Sequence, residues 1–325
     1  MLANVPLSPM RPDPARQLQA ERVRGTRPED ESWRADAFAG SRHSRWVDEL
    51  RRPLENHDLD RAQEICGQVT RRVLQDFAPA LLLLSGTDRS RLQALTAYTL
   101  TLFDFVRQTG LEGERLAAIN RWEFDLEAAL EGRGVGQPVF VTLADLEEQQ
   151  PWDREAFDDL HALARRRTAV SRPADLPAAE KDAGTLAEVL IRLFLGEEPA
   201  ETLCQFGSVL IRLRGLIQLG DDLRRHRARL PMSELPETWR TDGQADLPTL
   251  TVAIGIEGDR LRSISGEQDP VHLVPKRLRP ATRYAELAVQ KLLEKVDSQG
   301  AEIVYKPPRL GLLDRLILLL RSRWA

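Results

Sequence analysis

Cysteine is scarce in this chain. Cys66 and Cys204 are the two in 325 residues, far apart and without CxxC spacing or clustered histidines, which excludes a disulfide framework and a cysteine-based zinc site. They read as ordinary buried thiols of a reducing cytosol. A large charge excess is missing too: the formal net charge is -4 and the isoelectric point near 5.9. Nucleic-acid-binding domains carry a basic excess, so nucleic acid is not an expected partner. The longest apolar stretches, 80–84 and 316–320, fall far short of the roughly 20 residues that cross a bilayer. The first ten residues are broken by Pro6 and Pro9 and followed by Arg11, Asp13 and Arg16, unlike a secretory leader; a cytoplasmic location is expected. There is no repeated block and no glycine-rich phosphate loop after a strand. Strict apolar alternation is rare, so strands contribute little.

Hydrophobic residues make up 42% and charged residues 30%, enough for a packed core. Residues 1–46 mix Pro, Arg, Asp, Glu and Ser without a sustained period and read as a flexible arm. Beyond it, apolar residues recur at helical spacing. Leu92, Leu95, Thr96, Thr99, Leu102, Phe103 and Val106 predict a buried helix that Gly110 stops. A second helix runs through Leu116, Trp122 and Leu130 to the break at Gly132, Gly134 and Gly136, and a third restarts after Pro138. Phe157, Leu160 and Leu163 lead a helix into Arg165, Arg166 and Arg167, cations suited to a helix C-terminus. Others are expected at 186–194, 201–225, 280–299 and from Leu310 onward. The expectation is an all-α domain over 47–325, a large helical bundle.

Five collinear segments resemble the squalene and phytoene synthase family. They are 115–132 (RLAAINRWEFDLEAALEG), 137–159 (QPVFVTLADLEEQQPWDREAFDD), 183–196 (AGTLAEVLIRLFLG), 219–231 (LGDDLRRHRARLP) and 278–320, which includes AVQKLLEKVDSQG. The resemblance covers roughly 60–323 and implies the isoprenoid synthase fold. The resemblance also implies two facing helices whose aspartates hold Mg²⁺ against a prenyl diphosphate, since Mg²⁺ takes carboxylate oxygens beside phosphates. Here the chain departs from the pattern. With Tyr98 on the family tyrosine, Leu102 stands where an arginine is usual, and Phe105, Val106 and Thr109 stand where aspartates are. Asp104 is the nearest carboxylate and lies out of phase, because one residue turns a side chain by about a hundred degrees.

On the second helix the family pattern falls on Arg214, Ile217, Gln218, Asp221 and Asp222. The metal candidates are therefore Asp104, Asp221 and Asp222; the diphosphate candidates are Gln218, Arg225 and Arg227. Cavity candidates are Tyr98, Phe103, Phe105, Gly184 and Ala187, the last standing where the family has glycine. With so few carboxylates, three Mg²⁺ ions would be under-coordinated. The expected function is a degenerate family member that keeps a prenyl-lipid or prenyl-diphosphate cavity without ordinary head-to-head condensation. The alternatives are a divergent Mg²⁺-dependent prenyltransferase and a helical scaffold that binds a protein partner. Residues 310–324 alternate leucines with Arg315, Arg321 and Arg323, a pattern that suits either the surface of a membrane or docking on protein.

Overall fold

The computed structural model describes residues 42–56, 58–107, 111–169, 173–224 and 247–323; for Arg42 to Arg45, Asp221, Arg224 and Leu247 only the backbone is described. Of the expected arm, residues 1–41 lie outside this set. Among the described residues there are helices, turns and irregular segments and no strand. The helices are α1 (Arg42–Arg51), α2 (Leu59–Leu74), α3 (Gly86–Arg107), α4 (Glu112–Leu130), α5 (Pro138–Gln149), α6 (Arg154–Ala169) and α7 (Leu176–Leu195). They continue as α8 (Glu201–Ile217), α9 (Leu219–Arg224), α10 (Leu247–Gly266), α11 (Arg279–Gln299) and α12 (Leu312–Ser322). A 3-10 segment, Gln75–Leu83, joins α2 to α3, and another, Gly300–Val304, follows α11.

Local chemistry sets most boundaries. The Asp58 and Asp175 carboxylates accept from the backbone N–H groups of Arg61 (3.1 Å) and Ala178 (2.8 Å), satisfying donors that a helix N-terminus leaves open. Pro138 and Pro177 occupy first turns, where a missing N–H costs nothing. Gly196 ends α7 in the left-handed region at φ 76°, which glycine enters without a Cβ penalty. The helix expected over 201–225 is interrupted at Gln218. Helix α10 has no counterpart in the sequence reading, because Gly255, Gly258 and an exposed Val252 blur its apolar stripe.

Two buried arginines organise the packing. Arg91, 1% exposed, donates to the carbonyl oxygens of Phe194 (3.1 Å), Leu193 (2.9 Å) and Gln150 (3.0 Å). It thereby satisfies the C-terminal carbonyls of α7 and α5 from α3, with its guanidinium 3.7 Å over the Trp152 ring. Burial pushes its pKa down to about 10, opposed by Glu147 and Asp88. Arg212 on α8 forms a two-pronged pair with Glu257 on α10, 2.8 and 2.6 Å, with both side chains buried. Around that pair, Val209, Leu213, Ile254, Leu261, Leu292 and Val296 build the core of α8, α10 and α11.

Near α12, the buried Asp76 carboxylate accepts from the Leu310 N–H (2.9 Å) and from Arg315 (2.7 Å). Leu318 and Ser322 of α12 face the domain, whereas Leu312, Leu313, Leu316, Ile317 and Leu320 form an exposed stripe, Leu312 at 86%.

Removing one partner of a buried charge pair strands the other, at a cost of about 3–5 kcal/mol. Arg212→Met should therefore lower the urea midpoint sharply, and Arg212→Met with Glu257→Met should recover most of the loss. A single variant as stable as the parent would refute the assignment of this pair as a packing constraint.

Candidate functional site

A cavity of about 560 Å³ lies between α3, α7, α8, α11 and the Gln75–Leu83 segment. Its α3 wall is the stripe Thr96, Thr99, Leu100, Phe103 and Arg107, spaced three or four residues apart as one helical face requires. Helix α7 contributes Ala183, Leu186, Ala187 and Leu190, and α8 contributes Leu210, Ile211, Arg214 and Gln218. The small volume of Ala187 has a packing reason: a Cβ on Gly207 of α8 would lie 2.7 Å from the Ala187 Cβ. The helices meet there, and glycine on α8 accommodates the methyl group on α7.

One end of the cavity is polar. Arg167 from α6 grips Asp182 of α7 through both carboxylate oxygens, 3.0 and 2.7 Å, with its guanidinium 4.8 Å over the Phe103 ring. Arg107, Arg214, Gln218 and Asp222 also line the cavity. The Arg214 pKa is pushed down to about 10, first by burial and then by the like charge of Arg107, while Asp222 opposes the shift. Asp222 is placed by a close approach of backbones. A Cβ on Gly220 would come within 1.9 Å of the Val304 carbonyl oxygen, so only glycine lets α9 seat against the Gly300–Val304 segment.

Of the residues singled out in the sequence, the structure brings Phe103, Ala187, Gln218 and Asp222 to this cavity. Asp104 is elsewhere. It points to α1 and pairs with Arg51 at 2.9 Å, because the cavity-facing positions of α3 are Thr99, Phe103 and Arg107. Tyr98 and Phe105 also face away from the cavity. Tyr98 is fully buried among Trp122, Phe140, Phe157 and His161, and Phe105 packs on Trp122 beneath the Arg51 guanidinium. Gly184 is not on the cavity wall, and open space surrounds the position its Cβ would take. Asp221 lies in α9 with its side chain outside the described set; Arg225 and Arg227 lie outside it altogether. Arg107, Arg167 and Asp182 are site residues that the sequence reading missed. The four-residue spacing of Thr99, Phe103 and Arg107 was the available signal.

A second group of possible ligands, Glu123, Asp158 and His161, has atoms within 4.8 Å of one another. Arg165 already engages Glu123 and Asn120 there, and none of the three lines the cavity. Both cysteines are free thiols; burial is the main cause that raises Cys66 to about 12 and Cys204 to about 11.

Residues 70–316 match the family model for squalene/phytoene synthase. The chain belongs to that family. Its fold is shared with three solved structures. A dehydrosqualene synthase in complex with ligand is 17% identical with a TM-score of 0.66, the match covering 82% of this chain and 96% of that one. Squalene synthase HpnC from Alicyclobacillus acidocaldarius is 20% identical with a TM-score of 0.57, over 78% and 98%. YisP from Bacillus subtilis subsp. subtilis strain 168 is 14% identical with a TM-score of 0.57, over 87% and 100%. No curated protein matches the chain. The all-α squalene/phytoene synthase fold expected from the five segments is thus the fold the chain adopts.

In this family member the aromatic cluster behind α3 carries a titratable group. His161 accepts or donates a 2.6 Å hydrogen bond with the Tyr98 hydroxyl. Its pKa is pushed down to about 4, chiefly by burial and then by Arg165, against Asp158 and the Phe157 carbonyl. Since the unfolded chain takes up the proton near 6.5 and the folded chain near 4, the stabilisation is complete above pH 6.5. It is lost as pH falls through that window, by about 3 kcal/mol in all. The urea midpoint should drop between pH 6.5 and 4, and His161→Gln should remove that part of the slope; equal slopes would contradict it.

Proposed function

We propose that this squalene/phytoene synthase family member holds one prenyl chain with an anionic head and does not carry out ordinary head-to-head condensation of two prenyl diphosphates. The observation that carries this reading is the contrast between an open apolar cavity and its polar end. A volume of about 560 Å³ is in the range of small-molecule sites. Its walls are aliphatic along α7 and α8, suited to an isoprenoid chain.

Ionising an allylic diphosphate calls for divalent cations held by several carboxylates. Among the described side chains, Asp182 gives both oxygens to Arg167, Glu257 gives both to Arg212, and Asp104 is paired with Arg51. Asp222 is the expected metal ligand at the cavity, and Arg107 and Arg214 place positive charge beside it. This donor set fits a cluster of Mg²⁺ ions poorly. A purely structural helical module is the weaker reading, because Phe103 lines the space without filling it.

Calorimetric titration with farnesyl diphosphate should show binding, while incubation with Mg²⁺ should yield no hydrocarbon product. Leu210→Trp, which fills the cavity, should weaken binding about tenfold, or about 1.4 kcal/mol. Catalytic formation of a squalene- or phytoene-type hydrocarbon would replace this reading with that of a divergent Mg²⁺-dependent prenyltransferase.

The proposal extends to a membrane surface as the source of the lipid. The exposed stripe of α12 is bordered by Arg309, Arg321 and Arg323, which suits anionic lipid headgroups around an inserted apolar face. Arg309 also lines the cavity. In sedimentation with vesicles, the protein should bind those containing phosphatidylglycerol more strongly than pure phosphatidylcholine, and Leu313→Glu with Ile317→Glu should abolish binding. Equal recovery of both proteins with the vesicles would count against it.

A further inference from the structure

Other buried arginines of this structure have hydrogen-bonded partners: Arg167 pairs with Asp182, Arg212 with Glu257 and Arg192 with Asp153 at 2.7 Å, and Arg91 donates to three backbone carbonyls. Arg107 and Arg214 differ. Both line the cavity and are half-buried, and neither makes a hydrogen bond or ion pair with another described residue. Withdrawing a guanidinium from water without a hydrogen-bonded partner is costly, and here two are brought near each other, so that each disfavours the charge of the other, with Asp222 opposing the effect at Arg214. That Arg107 contributes to lowering the Arg214 pKa is the electrostatic trace of this crowding. At about 10, that pKa still leaves Arg214 charged at neutral pH.

We infer that Arg107 and Arg214 receive the phosphate head of a prenyl phosphate or diphosphate directly, in the absence of divalent metal; this rests on the reading of the cavity as a prenyl-chain site. The charge balance supports it. Once Arg167–Asp182 and Arg212–Glu257 are cancelled, Arg107 and Arg214 stand beside Asp222 among the described side chains of the polar end, two cations to one carboxylate, an arrangement complementary to a multiply charged anion. Guanidinium forks match phosphate oxygens in pairs, and the two arginines come from different walls, α3 and α8. A head between them would be gripped from both sides while its chain extends along Leu210, Leu190 and Leu186. A divalent cation entering first would meet like charge.

The test is calorimetric titration of farnesyl diphosphate, inorganic pyrophosphate and farnesol into the full chain, each in EDTA and in Mg²⁺. Farnesyl diphosphate should bind in EDTA. Arg107→Gln and Arg214→Gln should each weaken it about tenfold or more while leaving farnesol affinity unchanged and without lowering the thermal midpoint. Pyrophosphate binding in EDTA, lost in the same variants, would show that the head alone suffices; its absence alongside binding of farnesyl diphosphate would assign the site to lipid-linked heads. Farnesyl diphosphate binding that needs Mg²⁺, or that survives both substitutions, would overturn the inference and leave the cavity reading intact. Failure of both farnesol and farnesyl diphosphate to bind would instead overturn the cavity reading.

Discussion

The guanidinium of Arg91 lies where two helix ends would otherwise leave carbonyl groups facing one another without donors. Buried carbonyls must be paired, and this one side chain on α3 satisfies two from α7 and one from the end of α5. Sixteen residues farther along α3, Arg107 reaches the polar end, close to where the Arg167–Asp182 pair ties α6 to α7 over Phe103. Helix α7 is thus held near both of its ends, by carbonyls at one and a carboxylate at the other. The space between α3 and α7 follows from these two fixings more than from any apolar contact, since aliphatic packing alone would favour closing a void of this size.

That division separates the residues that hold the cavity of this squalene/phytoene synthase fold from those that line its polar end. The walls belong to the core. Replacing Leu186, Ala187 or Leu210 changes packing volume, which cores resist, and the Ala187–Gly207 contact shows two positions adjusted to each other. At the polar end Arg107, Arg214, Gln218 and Asp222 are partly exposed, so a change of side chain there alters charge without opening or overfilling the interior. Fold and chemistry are constrained by different residues, and the second set is freer to change.

The same division governs what could be read from the sequence. Helices with clear stops were legible because their boundaries are local: α4 ends near Gly132, α5 starts at Pro138, and α7 closes on Gly196. Helix α10 was not, because its glycines interrupt the stripe and its order comes from burial against α8 and α11. The order of family-like segments carried the fold. The site was half legible. Gln218, Asp222, Phe103 and Ala187 could be named from their segments, but the facing of α3 could not, since a one-residue difference in register exchanges Asp104 for Phe103 at the cavity. Arg107, Arg167 and Asp182 belong to three helices distant in sequence, and no local pattern announces that they meet.

Asp76 has a bearing on how the molecule is made. Its buried carboxylate is neutralised by Arg315 and by the N–H of Leu310, 239 and 234 positions later. Until those residues are available, an ionised group at the cavity wall has no compensating charge and must stay in contact with water. During synthesis the helices from α2 to α11 can assemble from nearer neighbours, but this corner of the interior stays wet until α12 arrives. Contacts of such long sequence separation close late, because the loop entropy must be overcome before they contribute. The interior around Asp76 is therefore completed only when the last described helix has docked.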